Sequence, residues 1–324
     1  MTPHMKSILC SAVLGIVVIG CDSTFSPKGP YEPKLVVYSV LSPHGDQQFV
    51  RLGVTYDVEG FDPAVHSTEE MIRGATVNMV HDGQTFVFRD TLIRRADSSR
   101  YSSPIGAYVA QPFRLVPGSR VQLSVVTQSF GTLTAETNVP GRGFISLTNS
   151  YVLRQVSSFE SKIVVLLQIA PQARGYLLRY YIVYEVFKNG TWVLERRQFP
   201  LSAISFAGRN EFVLIFPKLE RRSAEAFQQT LQPETVAIDQ LAYQITLESI
   251  LNEYSVSDLK FRHVVFELIQ VDAHLYSYFN IVNGFQDEYS IRTDLPDYSN
   301  IRGGVGVVGA YMVDSLRVPL PERF

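Results

Sequence analysis

The sequence predicts a mainly β protein: an immunoglobulin-like β-sandwich domain followed by a larger β-rich, sandwich-like domain with one or two helices. Segments of alternating apolar and polar residues, such as 48–56, recur along the chain, and such alternation is typical of half-buried strands. Turn sequences separate these segments, among them Asp82-Gly83 and Asn189-Gly190, which favour tight hairpins. Both patterns together predict an antiparallel architecture.

Residues 1–20 are predicted to be a lipoprotein signal peptide. The apolar run 8–19 follows a short basic start and is shorter than the about 20 apolar residues of a membrane-spanning helix, so it fits a secretory signal. The segment 18–21, Val-Ile-Gly-Cys, resembles the lipobox of bacterial lipoproteins, in which the cysteine after the cut is diacylated. Cys21 is therefore the predicted lipidation site; the alternative is a chance cysteine behind a leader that is cut elsewhere.

The sequence near the N-terminus also bears on the initiator methionine and on the segment that follows Cys21. Met5-Lys6 makes a cleaner charged-then-apolar start than Met1, so either methionine is a candidate initiator. Residues 21–30 are predicted to be a lipidated tether, because the stretch after the cysteine is rich in proline and polar residues, the composition of a linker. The folded protein is expected to begin near residue 31.

The composition excludes some classes of protein. The formal net charge is −2, so there is no basic excess and nucleic acid is not an expected partner. Cys10 would leave with the signal peptide and Cys21 would carry lipid, so no disulfide is expected. A hydrophobic content of 46 % and an aromatic content of 12 % are enough for a core that holds the fold without crosslinks.

The boundary between the two domains is predicted near Pro140-Gly141. Roughly six or seven short strands with turns between them are expected in residues 31–141, which is the pattern of an immunoglobulin-like sandwich. Residues 142–324 are expected to contain further, less regular strands. The strands predicted there cover 163–169, 176–187, 191–199, 212–216, 243–247 and 261–271.

Two helices are predicted in the second half. Residues 220–231 have helix-forming composition, with Pro233 as the stop signal. In residues 273–289 the apolar residues recur every three or four positions, which is the period of a helix with one apolar face. Asp272 is interpreted as the N-cap of that helix. The alternative, a metal site with the nearby His274, lacks the three or four ligands that zinc requires.

A glycine-dense stretch, 300–311, precedes the end of the chain. Residues 304–309 match the pattern G-x-G-x-x-G, but a dinucleotide-binding fold needs a helix directly after it. Pro319 and Pro321 follow instead, so no cofactor is predicted. We interpret these glycines as positions where a bent strand packs closely against its neighbour.

Five segments resemble the DUF4249 family of Bacteroidetes lipoproteins: 31–37, 74–77, 115–118, 135–140 and, as the most specific, 300–311. These motifs are structural rather than catalytic, and the resemblance brings no assigned biochemical activity. It implies a companion of TonB-dependent outer-membrane receptors and hence a role in capturing or importing a ligand.

Aromatic residues are the best candidates for a binding site. Tyr180 and Tyr184 should share one face of a strand, with Tyr181 on the other, and Tyr276 falls outside the apolar stripe of its predicted helix. Exposed aromatic rings stack on sugars or anchor protein partners, so Tyr181 and Tyr276 are the predicted binding residues. The alternative is that these rings fill the core between helix and sheet.

The expected function is therefore a non-catalytic lipoprotein, lipid-anchored in the outer membrane on its periplasmic or cell-surface side. Its expected partner is a TonB-dependent receptor, and no metal or cofactor is expected. The alternatives are a structural or adhesive surface protein without an import role, or an exported hydrolase. No G-x-S-x-G motif and no distinct pair of carboxylates supports the hydrolase.

Overall fold

The computed structural model describes most of the chain after residue 30. The described ranges are 31–57, 71–94, 104–154, 162–205, 212–222, 231–281 and 298–322. The predicted signal peptide, Cys21, the tether 21–30 and residues 282–289 of the predicted helix lie outside these ranges.

The described part of the chain up to residue 147 contains eight strands. They are β1 (Leu35–Leu41), β2 (Gln48–Val54), β3 (Thr76–His81), β4 (Gln84–Ile93), β5 (Ile105–Ala110), β6 (Arg120–Thr127), β7 (Gly131–Asn138) and β8 (Phe144–Leu147). The expected alternation is seen in β6, where Val121, Leu123 and Val125 are buried and the residues between them face outward. One face of such a strand therefore supplies the core.

Nine further strands and two α-helices complete the described structure. The strands are β9 (Lys162–Ile169), β10 (Gly175–Lys188), β11 (Thr191–Gln198), β12 (Ser202–Ser205), β13 (Phe212–Ile215), β14 (Glu220–Arg221), β15 (Gln232–Asp239), β16 (Leu259–Val271) and β17 (Val305–Pro319). The helices are α1 (Gln240–Glu253) and α2 (Ala273–Ile281). Neither helix is both long and apolar enough to cross a membrane. Short 3₁₀ turns cover Ser150–Arg154 and Val256–Asp258.

A 12-stranded mixed sheet dominates the fold. Its strand order is β11-β10-β16-β17-β1-β2-β5-β4-β3-β6-β7, and β14 pairs with β10 beside this path. Only β1 and β17 run parallel among these pairs. Smaller sheets are formed by β15-β9-β8 and by β12-β13. The predicted mainly β, sandwich-like class and the presence of two helices are confirmed.

The last strand, β17, lies at the centre of the main sheet. Its first part pairs with β1, from Val36 opposite Val305 to Leu41 opposite Ala310, and its second part pairs with β16. Residues 34–324 form one compact unit. The main sheet of this unit contains strands from before residue 141, β1 to β7, and strands from after it, such as β10 and β16.

Three hydrophobic clusters fill the space behind and over this sheet. The first is built from side chains between residues 35 and 139, together with Ile301, Val308, Ala310 and Met312 from the end of the chain. The second lies within residues 145–320 and contains the buried faces of β9, β10, β16 and α1. The third lies under α2. Strand β17 contributes side chains to all three clusters.

Both predicted hairpins are confirmed. Asp82 and Gly83 have φ values of 49° and 73°, and Asn189 and Gly190 have 52° and 83°. Two successive left-handed residues form the tight turn whose twist matches that of the flanking strands. The turns connect β3 to β4 and β10 to β11.

The prediction of a strand over 243–247 is wrong, because these residues belong to α1. Tyr243, Leu247 and Ile250 are buried in the second cluster, and their spacing of four and three residues places them on one face of a helix. The predicted helix over 220–231 begins as strand β14, and residues 223–230 lie outside the described ranges.

The predicted helix after Asp272 is confirmed from Ala273 to Ile281, and Asp272 is its N-cap. The backbone N–H of Leu275 donates to Asp272 Oδ1 at 2.8 Å, and the hydroxyl of Thr137 donates to Oδ2. The backbone N–H of Asp272 donates to the carbonyl of Ala310 at 3.0 Å. This residue therefore joins α2, β7 and β17, and burial raises the pKa of its carboxyl to about 7.

The glycine-dense stretch packs closely against its neighbours, as interpreted from the sequence. Gly306 has a φ of +119°, which residues with a side chain rarely adopt. A Cβ atom at this position would collide with the backbone carbonyl of Val37 on β1. Gly309 similarly leaves room for the side chain of Leu275 from α2. The glycines are therefore explained by close strand and helix packing.

We expect Gly306→Ala to lower the free energy of unfolding by about 3 kcal/mol, because the new methyl group must push β1 and β17 apart. The matched control is Gly45→Ala. Gly45 also has a positive φ, +77°, but faces open space. Gly45→Ala should therefore lower the free energy of unfolding by only about 1 kcal/mol. Urea unfolding of the two variants measures the difference, and equal losses would contradict the close approach.

We expect the stability contributed by Asp272 to fall as the pH rises. Its pKa is raised from 3.8 to about 7 in the folded protein, so the folded state binds the proton more tightly than the unfolded state. This contribution is complete below about pH 4 and is lost as the pH rises through about 7.

The measurement compares the free energies of unfolding of the parent and Asp272→Asn between these pH values. The advantage of the parent over the variant should shrink with increasing pH, because the asparagine does not titrate. The control is Asp82→Asn in the exposed β3–β4 turn, where asparagine tolerates the left-handed conformation. A pH-independent difference for Asp272→Asn would refute a raised pKa.

Candidate functional site

The candidate site lies on the face of β10, β16 and β17 that points away from the second hydrophobic cluster; we call this the outer face. Cross-strand pairing places Leu177 beside Ile269 at one end of it. Tyr181 and Val265 are paired at the other end, with Arg317 next to Val265. Helix α2 packs on the first end, where Leu177 and Ile269 belong to the third cluster. The second end forms an open depression.

This depression, the outer groove, has a volume of about 370 Å³. Tyr181, Val183 and Val265 form its floor, and Leu194 and Arg196 of β11 form one wall. Its size is within the range of small-molecule sites, which are about 300–1,000 Å³.

The ring of Tyr181 is covered by a guanidinium group. The Arg196 guanidinium carbon lies 4.7 Å from the ring centre, a cation–π geometry, and only 9 % of Tyr181 is exposed. Tyr181 is thus less exposed than its predicted role suggested, because Arg196 folds over it. Arg196 Nη1 also lies 3.9 Å from Glu267 Oε1. The positive group therefore lies across the floor of the groove, while 65 % of the Arg196 side chain remains exposed to solvent.

Two further basic groups line the groove. Arg317 is exposed and forms no ion pair with any residue in the described ranges. His263 lies two residue pairs away from the Val265–Arg317 pair along β16 and β17, on the same face. Burial lowers the pKa of His263 below its ordinary 6.5, and the positive charge of Arg317 lowers it further. His263 is therefore neutral near pH 7 and has both a donor and an acceptor nitrogen.

Two carboxylates lie near the groove, but they do not converge. Glu195 points to the opposite side of the sheet, where it accepts hydrogen bonds from Lys188 and from the Tyr254 hydroxyl at 3.2 Å. Glu267 faces the groove beside Arg196. A hydrolase of the glycosidase type needs two carboxylates that flank one bond, and this arrangement does not present such a pair.

Aromatic residues extend the outer face beyond the groove. Trp192 and Phe187 are partly exposed with ring centres 5.3 Å apart. The ammonium group of Lys260 lies 4.2 Å from the centre of the Trp192 ring. Trp192 precedes Leu194 by two residues on β11, so the pair share a face about 7 Å apart. The groove therefore opens beside a shelf of aromatic and basic side chains.

The other predicted binding residue, Tyr276, lies on the same sheet face but apart from the groove. Its half-buried ring covers Gly175 at the start of β10, where a Cβ atom would collide with it. Six residues of extended strand, roughly 20 Å, separate Gly175 from Tyr181. The structure therefore does not bring the two predicted tyrosines into one site. Tyr180 and Tyr184 are buried on the opposite face, as predicted.

The pair considered as metal ligands points in different directions. Asp272 is buried against Thr137 and the α2 N-terminus. His274 Nδ1 instead forms a hydrogen bond with the hydroxyl of Tyr298 at 2.5 Å. Within the described part of the chain, no three His, Cys, Asp or Glu residues are arranged to hold a metal ion.

A family model described as Domain of unknown function (DUF4249) matches residues 22–317. The chain belongs to the DUF4249 family. The match confirms the resemblance recognised from the glycine-dense stretch and the four shorter segments. A comparison with curated proteins found no match. DUF4249 is defined without an activity, so the function of this member must be argued from its own site.

The basic residues of the groove in this DUF4249 protein were not predicted from the sequence. Arg196 and Arg197 point to opposite faces of β11: Arg196 covers Tyr181, while Arg197 pairs with Glu253 of α1. Arg317 reaches the groove only through the pairing of β17 with β16. No local pattern in the sequence contains that register, so the cluster was not predictable.

We expect Arg317→Gln to raise the pKa of His263, because it removes the positive charge that disfavours the imidazolium. The rise should be partial, since burial is the larger cause of the lowered value. Titration of the imidazole signals by NMR measures it, with His263→Gln to assign the signal. Arg89→Gln, an exposed arginine on β4, is the control. An unchanged His263 pKa in Arg317→Gln would contradict the proximity of these groups.

Proposed function

We propose that this protein is a non-catalytic, lipid-anchored lipoprotein of the outer membrane that serves as an accessory binding component of a TonB-dependent transport system. The lipid on Cys21 would hold the protein at the membrane. The tether 21–30 would let the folded part reach its partner, and confinement to the membrane raises the effective concentration of a bound ligand near a transporter.

The observation that supports binding best is the outer groove. It is open and mainly apolar, and it combines an aromatic floor with basic groups at its edge. Its two nearby carboxylates are engaged with different partners on different sides of the sheet. This arrangement favours recognition of a ligand over hydrolysis, for which convergent acid and base groups would be needed.

The support for the membrane location is the N-terminal sequence. A basic start, an apolar run at 8–19 and a cysteine at 21 occur in the order of a lipoprotein signal. The association with a TonB-dependent receptor is an inference from the resemblance of family members to companions of such receptors. A structural or adhesive surface protein remains the alternative that the experiment must separate.

We expect a tagged version of the protein, solubilised gently from its own membranes, to retain a large TonB-dependent barrel in near-equal amount. Mass spectrometry of the captured material measures this ratio. The control is Cys21→Ser, which removes the acylation site. This variant should leave the membrane fraction and lose the barrel, because no lipid would hold it at the membrane.

Two results would contradict the proposal in different ways. If the parent protein is captured alone while Cys21→Ser shows that lipid anchors it, the transporter role is wrong and the adhesive alternative is favoured. If Cys21→Ser stays in the membrane fraction to the same extent as the parent, the lipid anchor itself is wrong.

A further inference from the structure

We propose that the outer groove binds a small organic anion, a molecule that joins one carboxylate or phosphate group to an apolar or ring-shaped body. This inference rests on the proposed binding function and names the ligand class of the same site. It is drawn from three properties of the groove: its size, its charge and its apolar floor.

The positive charge of the groove is only partly compensated. Arg196 and Arg317 line it, and Glu267 is the one lining carboxylate that faces it, at 3.9 Å from Arg196. Arg317 forms no ion pair with the described residues. A guanidinium group offers two parallel N–H donors that match the oxygens of a carboxylate or phosphate. We therefore assign the anionic group of the ligand to Arg317.

His263 supports the same assignment through its position. It faces the groove next to the pair formed by Val265 and Arg317, and its neutral ring has one N–H donor. An anion bound at Arg317 would thus meet a second donor on the same side. Glu267 lies two residues from Val265 along β16, in the direction opposite to His263, and 3.9 Å from Arg196. A negative group and a neutral donor therefore lie on opposite sides of Arg317 and would orient an asymmetric ligand.

The floor of the groove accounts for the apolar part of the ligand. Val183 and Val265 are 7 % and 9 % exposed, so the surface that they offer is small and flat. Leu194 rises beside them and is 64 % exposed, so its side chain offers apolar surface to a ligand. A ring or short alkyl chain against Leu194 would remove this surface from water, a gain of about 25 cal/mol per Å².

The chain provides its own reporter for this site. Trp192 is its one tryptophan, and it lies on the outer face two residues from Leu194. A ligand in the groove changes the surroundings of Trp192 or of the Lys260 group above its ring. Tryptophan fluorescence therefore reports on the groove without a label.

The test compares two probes that share a phenylpropyl body and differ in the head group: 4-phenylbutyrate, which has a charged carboxylate, and 4-phenylbutan-1-ol, which has a neutral hydroxyl. Both are titrated into the full chain carrying Cys21→Ser, so that no detergent competes for the groove. Fluorescence excited selectively at tryptophan and calorimetry give the dissociation constants. We expect the carboxylate to bind about tenfold more tightly than the alcohol, the ratio for one charge-assisted hydrogen-bonded pair.

The variant Arg317→Gln should abolish this preference, weakening 4-phenylbutyrate about tenfold and leaving the alcohol unchanged. Arg89→Gln, which alters an equally charged and exposed side chain on β4, should behave like the parent. Inorganic phosphate serves as a competitor: displacement of 4-phenylbutyrate by phosphate would identify phosphate as an alternative anionic group, and its failure would restrict the site to carboxylates.

Equal affinity for the two probes, or no binding at millimolar concentrations, would overturn the proposal. An unchanged preference in Arg317→Gln would overturn the assignment of the anion to Arg317. These failures are distinguishable from failure of the proposed function. The titration uses the isolated chain in solution, whereas the transporter role is decided by the barrel captured from membranes with the lipidated parent.

Discussion

The fold depends on the insertion of β17 between β1 and β16. Its first part completes a parallel pair with β1 and its second part an antiparallel pair with β16, so one strand joins the two halves of the main sheet. The close approach of Gly306 to Val37 permits this pairing, since any side chain there would separate the backbones. The carbonyl of Ala310 also fixes Asp272 at the start of α2. The sheet, the hydrophobic clusters and the helix on the outer face are thus joined through one strand.

The two faces of this sheet have different roles because the side chains of a strand alternate. On β10, Tyr180 and Tyr184 are buried in the second hydrophobic cluster, whereas Tyr181 between them lies in the groove. Helix α2 is only nine residues long and covers one end of the outer face. The uncovered end exposes Leu194 and Arg317. Alternate residues of the same strands therefore face the hydrophobic core and the proposed binding groove.

Local features of this structure were predictable from sequence and distant pairings were not. The alternation in β6, the turn at Asn189-Gly190 and the cap at Asp272 depend on neighbours in the chain, and the structure has all three. The helical residues 243–247 were predicted as a strand, because a window of five apolar and β-compatible residues fits both periods. For the candidate site, the face of Tyr181 followed from alternation. Arg317 could not be assigned, because its place beside Val265 is set by the register of β16 and β17.

The position of β17 also determines when this protein can fold. The ribosome makes this strand after every other strand of the sheet, yet its neighbour β1 is made first, and residues 36 and 305 must meet. Until then, β1 and β16 each have an open edge of unpaired backbone groups, which is a template for aggregation. Contacts between such distant residues also form slowly. The nascent chain therefore has no central sheet to protect it, and it must remain soluble until its final strand arrives.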